Sequence, residues 1–319
     1  MATQKMVGNV GSTLGTVIIG GGRGFIGAAL TRTLRLKGYN VIIVSRQPAP
    51  YAITWSKVEK DGLPECFAVV NVAGQNVLDF TRRWTPGFQQ NVWASRVNTN
   101  KALSQAINKM SKQPEVFVTV SGVGYYKPSL TEEYTEDSQG GNFDYFSRLC
   151  TDWENAAKLS GTTTRRVTIR SGVVLGRQGG MIKQIFLPFY IGTGGPIGDG
   201  KQYFPWIHLQ DTVGIFIHAI ENKNVSGILN GVAPHLITNG EFTKAFARAL
   251  GRPAFIPLPV AILNILFSNE RAKMMTEGQK VIPKRTLASG FKYKYPNINE
   301  ACKEFGHLMY KDSLSVDIQ

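Results

Sequence analysis

A doubly wound α/β fold, with helices on both faces of a parallel sheet, is predicted by three observations. Short β-branched runs alternate with segments of helical apolar spacing five times. The first run opens into a glycine-dense turn, TVIIGGGRGFIG, at residues 16–27. No internal repeat or low-complexity tract interrupts the alternation. The 319 residues, 43% hydrophobic, suffice for one large domain with a smaller one appended.

The first strand is Val17-Ile18-Ile19, and Ala29, Leu30, Leu34 and Leu36 continue at helical spacing beyond the turn. Between them lies Gly21-x-x-Gly24-x-x-Gly27. Gly21 allows the tight turn, Gly24 lets a pyrophosphate approach the backbone, and Gly27 lets the helix pack close to the sheet. Gly22, Arg23, Phe25 and Ile26 complete a loop whose unpaired N–H groups face an anion at the helix N-terminus.

Residues 40–44, NVIIV, read as a second buried strand that ends in Ser45-Arg46. An acid at this strand end would accept from a ribose 2′-hydroxyl, whereas Ser45 and Arg46, with Arg23 in the loop, offer donors and positive charge to a 2′-phosphate. The expected cofactor is therefore NADP(H).

Residues 67–72 form a third strand ending in Asn71-Val72-Ala73-Gly74, a small-residue turn that would lie against the dinucleotide, with Asn71 and Asn76 ordering it by side-chain bonds. Thr85-Pro86 caps and opens a long helix to about residue 110; Arg82, Arg83 and Arg96 flank its beginning and could face an anion, with solvated charge as the favoured reading. A fourth strand, 116–120, ends at Ser121, where ligands bind in open α/β sheets and where a hydroxyl would orient a substrate carbonyl. A helix at 143–159 and a fifth strand at 166–169 follow.

Composition excludes several classes. Lysine and arginine total 36 against 22 acids, a net charge of +14 that favours anionic partners, but the basic residues are dispersed and no nucleic-acid-binding motif is present. Cys66, Cys150 and Cys302 are too few and too widely spaced for a disulfide framework or structural zinc, and no metal-ligand cluster is seen. The longest apolar stretch, 254–267, is broken by Pro257 and Pro259 and cannot span a bilayer. A reducing intracellular compartment is expected, cytoplasmic, with mitochondrial or nuclear placement as the alternatives.

Taken together, the glycine loop, Asn71-x-Ala73-Gly74, Ser121 four residues before Tyr125, and the stretches Gly198-Asp199-Gly200 and Trp206-Ile207-His208-Leu209-Gln210-Asp211 resemble the extended short-chain dehydrogenase/reductase superfamily. Within it, the whole chain is similar to the atypical, nucleotide-sugar-epimerase-like branch. That resemblance implies an NAD(P)-binding Rossmann domain at 16–235 and a C-terminal cap of unknown function at 236–310, carrying Gly251-Arg252-Pro253 and Pro283-Lys284-Arg285. The tails, 1–15 and 311–319, are expected to be loose.

The resemblance also implies a tyrosine and, four residues later, a lysine on one helix face: a proton donor, and a cation that holds the nicotinamide ribose. Counting back from Trp153-Glu154 puts Phe146 and Cys150 in those places, and a shift by one gives Tyr145 with Leu149. Neither frame yields the pair. Tyr125, Tyr126, Tyr145 or Asp144 would supply the proton from another direction, or water would, or the protein binds NADP(H) without chemistry. The candidate catalytic residues are Ser121, Tyr125 and Tyr145, and the expected activity is reduction of a small carbonyl or oxidation of an alcohol. A non-catalytic sensor and a sugar epimerase are the alternatives.

On the substrate side, the glycine- and apolar-rich segment 176–206 is expected to form a flexible wall of the cleft. His208 and Asp211 read as structural, with Asp211 opening a helix at 213–221. A helix at 261–267 would be buried by the cap; left exposed, it would suggest a homodimer surface or a membrane contact.

Overall fold

The structure, a computed structural model, describes residues 13–307 except Phe80 and Thr162. The expected tails lie outside the described residues, apart from 13–15. In chain order the strands among the described residues are β1 Thr16–Gly20, β2 Asn40–Ser45, β3 Ala52–Thr54, β4 Ala68–Asn71, β5 Val116–Gly122 and β6 Glu133–Tyr134. They continue with β7 Arg165–Ser171, β8 Val173–Leu175, β9 Trp206–His208, β10 Gly227–Gly231 and β11 Lys280–Val281.

Seven strands form one parallel sheet in the order β10-β7-β5-β4-β1-β2-β3. The chain runs outward from β1 through β2 to β3, then returns to β4 on the other side of β1. The strand order thus reverses between β1 and β4, and a crevice opens at their carboxyl ends, where Gly20 is in register with Asn71 and with Val44. All five expected strands are present. The edge strands β3 and β10 were not expected: β3, AIT, is only three residues long, and β10, GILNG, begins and ends in glycine and has a single β-branched residue. Two short parallel pairs, β6 with β11 and β8 with β9, lie apart from the main sheet.

Local chemistry sets the helix ends. Thr85 caps helix Pro86–Lys109 by accepting from Phe88 N, with proline in the first turn. Asp144 and Ser147 form a capping box on helix Tyr145–Ala156, and Thr238 and Glu241 form one on Asn239–Leu250, which ends at the left-handed Gly251.

Three expectations are corrected. The helix expected to be opened by Asp211 starts earlier, spanning Leu209–Glu221, because the imidazole of His208 caps it by accepting from Gln210 N at 3.1 Å. Asp211 instead accepts from Lys294 N and Tyr295 N, and His208 Nε2 lies 3.1 Å from Glu304, which bears out the structural reading of both residues. The segment expected to be a flexible wall contains a regular helix, Gly180–Tyr190; Ile182, Phe186 and Phe189 anchor it in a second apolar core with Phe246 and Phe305. Helix Val260–Phe267 is not enclosed: Leu263 and Phe267 are buried, while Ile265 is 84% exposed. A helix of about two turns, apolar all round except at Asn264, can bury only the side it packs with. No helix among the described residues is long and apolar enough to cross a membrane.

Candidate functional site

The crevice between β1 and β4 is built by close backbone packing. Gly21 adopts φ +78°, and a Cβ there would lie 2.7 Å from Ala73 Cα, so the glycine loop and the 71–74 turn fit together only without a side chain. At Gly27 a Cβ would come within 2.1 Å of Gly21 O, which seats the helix Phe25–Leu36 directly behind the turn. Gly24 is the N-cap of that helix and has no side-chain cap, so first-turn N–H groups remain available to an anion.

A cavity of about 880 Å³ opens over this loop. Gly21, Arg23 and Gly24 form one wall, Ser45 and Arg46 at the end of β2 another, and Ala73 and Gly74 a third. Its volume lies within the roughly 300–1,000 Å³ typical of small-molecule and cofactor clefts. A neighbouring hollow of about 440 Å³ shares Arg46 and is bounded by Arg82, which the sequence had placed among solvated charges. Ser45 Oγ donates to Gln47 O and thereby shapes the strand end.

The remaining loop residues divide their roles. Phe25 turns its ring away and packs on Gly176, Gly179 and Gly180, and Ile26 joins the main core; both contribute backbone alone to the loop's anion-facing turn. Trp55, absent from the sequence expectations, lines the cavity from the helix after β3. Nothing in its local sequence signals this, because β3 itself had no signature.

The 71–74 turn is tied to helix Pro86–Lys109. Asn71 is fully buried; its Oδ1 accepts from Ala73 N at 3.1 Å, and its Nδ2 donates to Thr99 Oγ1 at 3.0 Å and Asn100 Oδ1 at 2.6 Å. Gln75 N donates to Ser95 Oγ at 2.9 Å. Arg96 is not a solvated charge: its guanidinium lies so close beneath Gly74 that a Cβ there would meet Cζ at 3.1 Å, and it sits 5.0 Å from the Trp153 ring.

Beyond this turn, the three expected catalytic residues have different surroundings. Ser121, at the end of β5, is buried, and its Oγ has no oxygen or nitrogen partner, with the Cys150 thiol beside it. Tyr145 is half-buried and donates its hydroxyl proton to Gln89 O at 2.7 Å; burial pushes the phenol up to about 12. Tyr125 lies with its ring 3.5 Å from the Arg170 guanidinium and against Gly140 and Gly141. Tyr126 is fully buried and donates to Asn230, and Asp144 is engaged as a helix cap. Of these groups the hydroxyls of Ser121, which is buried, and Tyr125, which is half-buried, are left without an oxygen or nitrogen partner among the described residues.

The two positions of the missing pair are apolar. Phe146 stacks on Trp84 at 5.7 Å, and Cys150 is buried beside Gly122 and Ser121. Burial first, and then Glu154, raise the Cys150 thiol to about 11 against the opposing pull of the Gly122 N–H, Ser121 and Arg96. Burial also raises Cys66 to about 12 and Cys302 above its ordinary value, so all three thiols stay protonated at neutral pH. Fewer than about 0.2 thiols per chain should react with Ellman's reagent in ten minutes at pH 8 in the native state, and all three after denaturation. Rapid native-state reaction of one thiol would contradict this packing. Among the described residues no cluster of three metal-ligating side chains is present.

The strand-order reversal, the uncapped helix behind a glycine turn and the large polar-rimmed cleft define a dinucleotide-binding protein of the Rossmann class. Comparison makes this specific. The sequence pattern of the NAD dependent epimerase/dehydratase family matches residues 17–230, and a domain of unknown function, DUF1731, matches residues 258–305. The chain belongs to the NAD dependent epimerase/dehydratase family. It is 55% identical over 289 residues to the epimerase family protein SDR39U1 of Bos taurus, covering 90% of this chain and 98% of that one. The crystal structure of human epimerase family protein SDR39U1 (isoform 2) with NADPH superposes with a TM-score of 0.91 at 53% identity, over 92% of this chain and all of that one. UDP-N-acetylglucosamine 4-epimerase from Bacillus cereus, 16% identical with a TM-score of 0.70 over 91% of this chain and 98% of that chain, shares the fold.

Proposed function

We propose that the protein is an NADP(H)-dependent oxidoreductase of the atypical short-chain dehydrogenase/reductase type, acting on a small carbonyl or alcohol. The observation that carries this reading is Ser121: a hydroxyl buried at the carboxyl end of β5 with no oxygen or nitrogen partner, and only the weakly bonding Cys150 thiol beside it, costs free energy unless a ligand completes it. The NADPH held by the human relative supports the cofactor. In this reading the first turn of helix Phe25–Leu36 receives the diphosphate, Ala73 and Gly74 lie along it, and Arg23, Ser45 and Arg46 take the 2′-phosphate. Bound there, the reduced nicotinamide supplies hydride. Ser121 donates a hydrogen bond to the substrate oxygen and fixes its orientation. Residues 16–235 form the nucleotide-binding part and 236–310 the cap, joined through Ile182 and Phe186 packing with Phe246.

Arg46→Asp replaces a charge-assisted donor by a like charge. It should weaken NADPH by roughly tenfold or more, since such a contact contributes about 1.5–3 kcal/mol, and change NADH affinity far less. Titration of both nucleotides checks it; equal losses would remove the 2′-phosphate from this strand end.

A second reading is non-catalytic binding of NADP(H). It is favoured by Phe146 and Cys150 and by the engagement of the Tyr145 hydroxyl with Gln89. Single-turnover transfer of deuterium from stereospecifically labelled NADPH to a panel of carbonyl compounds separates the two. Transfer is expected, and Ser121→Ala should slow it by about 10²-fold, the scale of losing one preorganised donor. Tight NADPH binding with no transfer to any acceptor would establish the second reading.

A further inference from the structure

Arg96, whose guanidinium lies against the cavity-lining Gly74, has no task in the cofactor assignments above. It projects from helix Pro86–Lys109, and its head is packed between the Gly74 turn and the helix Tyr145–Ala156, over the Trp153 ring. Only Nη1 is engaged, with Val92 O at 3.2 Å and Ser95 Oγ at 3.4 Å. Nε and Nη2 make no hydrogen bond, and no carboxylate forms an ion pair with it, among the described residues. Of the two acids on the facing helix, Glu154 is taken by Arg170 on both oxygens and Asp152 accepts from Trp93 Nε1 at 2.9 Å. The remaining donors are nevertheless not sealed in: Arg96 is partly exposed, and its unbonded nitrogens are absent from the buried unsatisfied atoms of the site. Burial lowers the guanidinium to about 10, which leaves it charged at neutral pH.

A half-buried cation with no carboxylate beside it, and with three N–H bonds unspent and open to the crevice, is placed to donate to a ligand that enters there. Its neighbours fix which part of a ligand that is. On one side stands Gly74, in the turn that flanks the diphosphate; on the other are Cys150 and, next to it, Ser121, where the reacting carbon must come. The part of a dinucleotide between the diphosphate and the reacting ring is the nicotinamide-side ribose, whose hydroxyls present oxygen lone pairs.

We infer that Arg96 holds the nicotinamide-side ribose through its hydroxyl oxygens, so that the positive charge missing at Cys150 reaches the ribose from the facing helix. The inference rests on the proposed NADP(H) reading. It also accounts for Cys150: a lysine there would put a second cation against Arg96, and a buried thiol fills the space without charge.

Calorimetric titration of wild type, Arg96→Met and the double variant Arg96→Met with Cys150→Lys tests it, using NADPH and adenosine 2′,5′-bisphosphate, which lacks the nicotinamide half. Arg96→Met should weaken NADPH by about tenfold or more and leave the bisphosphate within about twofold. The double variant should regain at least about threefold for NADPH. NADPH binding unchanged in Arg96→Met would overturn the inference, and so would equal losses for both ligands, which would make Arg96 a clamp on the groove. If Arg96→Met does not fold, Arg96→Lys replaces it, with an expected loss of about three- to tenfold confined to NADPH. Wild-type protein that binds neither ligand would instead defeat the NADP(H) reading itself.

Discussion

Replacing Glu154 by alanine should destabilise the protein by about 3–5 kcal/mol, because it strands a buried guanidinium. Arg170 reaches Glu154 with two parallel bonds, Nε to Oε1 at 2.8 Å and Nη2 to Oε2 at 2.9 Å, and both side chains are nearly enclosed. Burial opposes the charge on Arg170, and the paired carboxylate more than compensates, holding the guanidinium well above its usual range. Its third donor, Nη1, goes to Tyr126 Oη at 3.0 Å; Tyr126 donates to Asn230 Oδ1 at 2.8 Å, and Asn230 Nδ2 donates to Ile282 O at 3.0 Å. This chain of bonds links β7, the helix Tyr145–Ala156, β10 and the segment after β11. One deletion therefore leaves several partners misaligned rather than one unpaired. Glu154→Gln should cost less, since one acceptor oxygen remains. Equilibrium urea unfolding of both variants checks this, and a loss under about 1 kcal/mol for Glu154→Ala would show that Arg170 finds water instead.

The same network marks where the sequence stops being informative. Local signals carried the glycine loop, five strands and the capped helices, because periodicity and turn chemistry act within a few residues. The ordering of the 71–74 turn by Asn71 was also legible, since an asparagine two residues before a bonded N–H is a local motif. Arg96 read as a solvated charge because a long helix, weakly amphipathic from end to end, gives no sign of which arginine faces a neighbour. Trp55 was hidden behind a three-residue edge strand, and the exposure of Ile265 depends on what packs above it rather than on its own apolar run. The absence of a tyrosine–lysine pair was legible. The approach of Arg96 to Cys150 was not, because the two residues lie on different helices and meet only when these pack.

The glycine loop itself gives the second large effect, through two substitutions that the motif alone would treat alike. Gly27→Ala places a Cβ 2.1 Å from Gly21 O and 2.8 Å from Gly22 Cα, both backbone atoms, so the helix must move away from the turn. Gly24→Ala meets only Gly21 O at 3.4 Å, an ordinary contact, at a helix N-cap with extended backbone. The first should lower both thermal stability and NADPH affinity, the latter by about 10²-fold or more, the scale of an ångström displacement at a positioned site. The second should leave the melting temperature of the nucleotide-free protein unchanged and still lose affinity, because its methyl enters the space the diphosphate needs against the first-turn N–H groups. Thermal melts with and without NADPH distinguish the two. If Gly24→Ala binds NADPH like the wild type, the diphosphate does not lie over this helix end, and the roles assigned to Arg23 and Arg46 fall with it. If Gly27→Ala does so, the helix tolerates displacement without losing its ligand, and the anchoring must come from the 71–74 turn and Arg96.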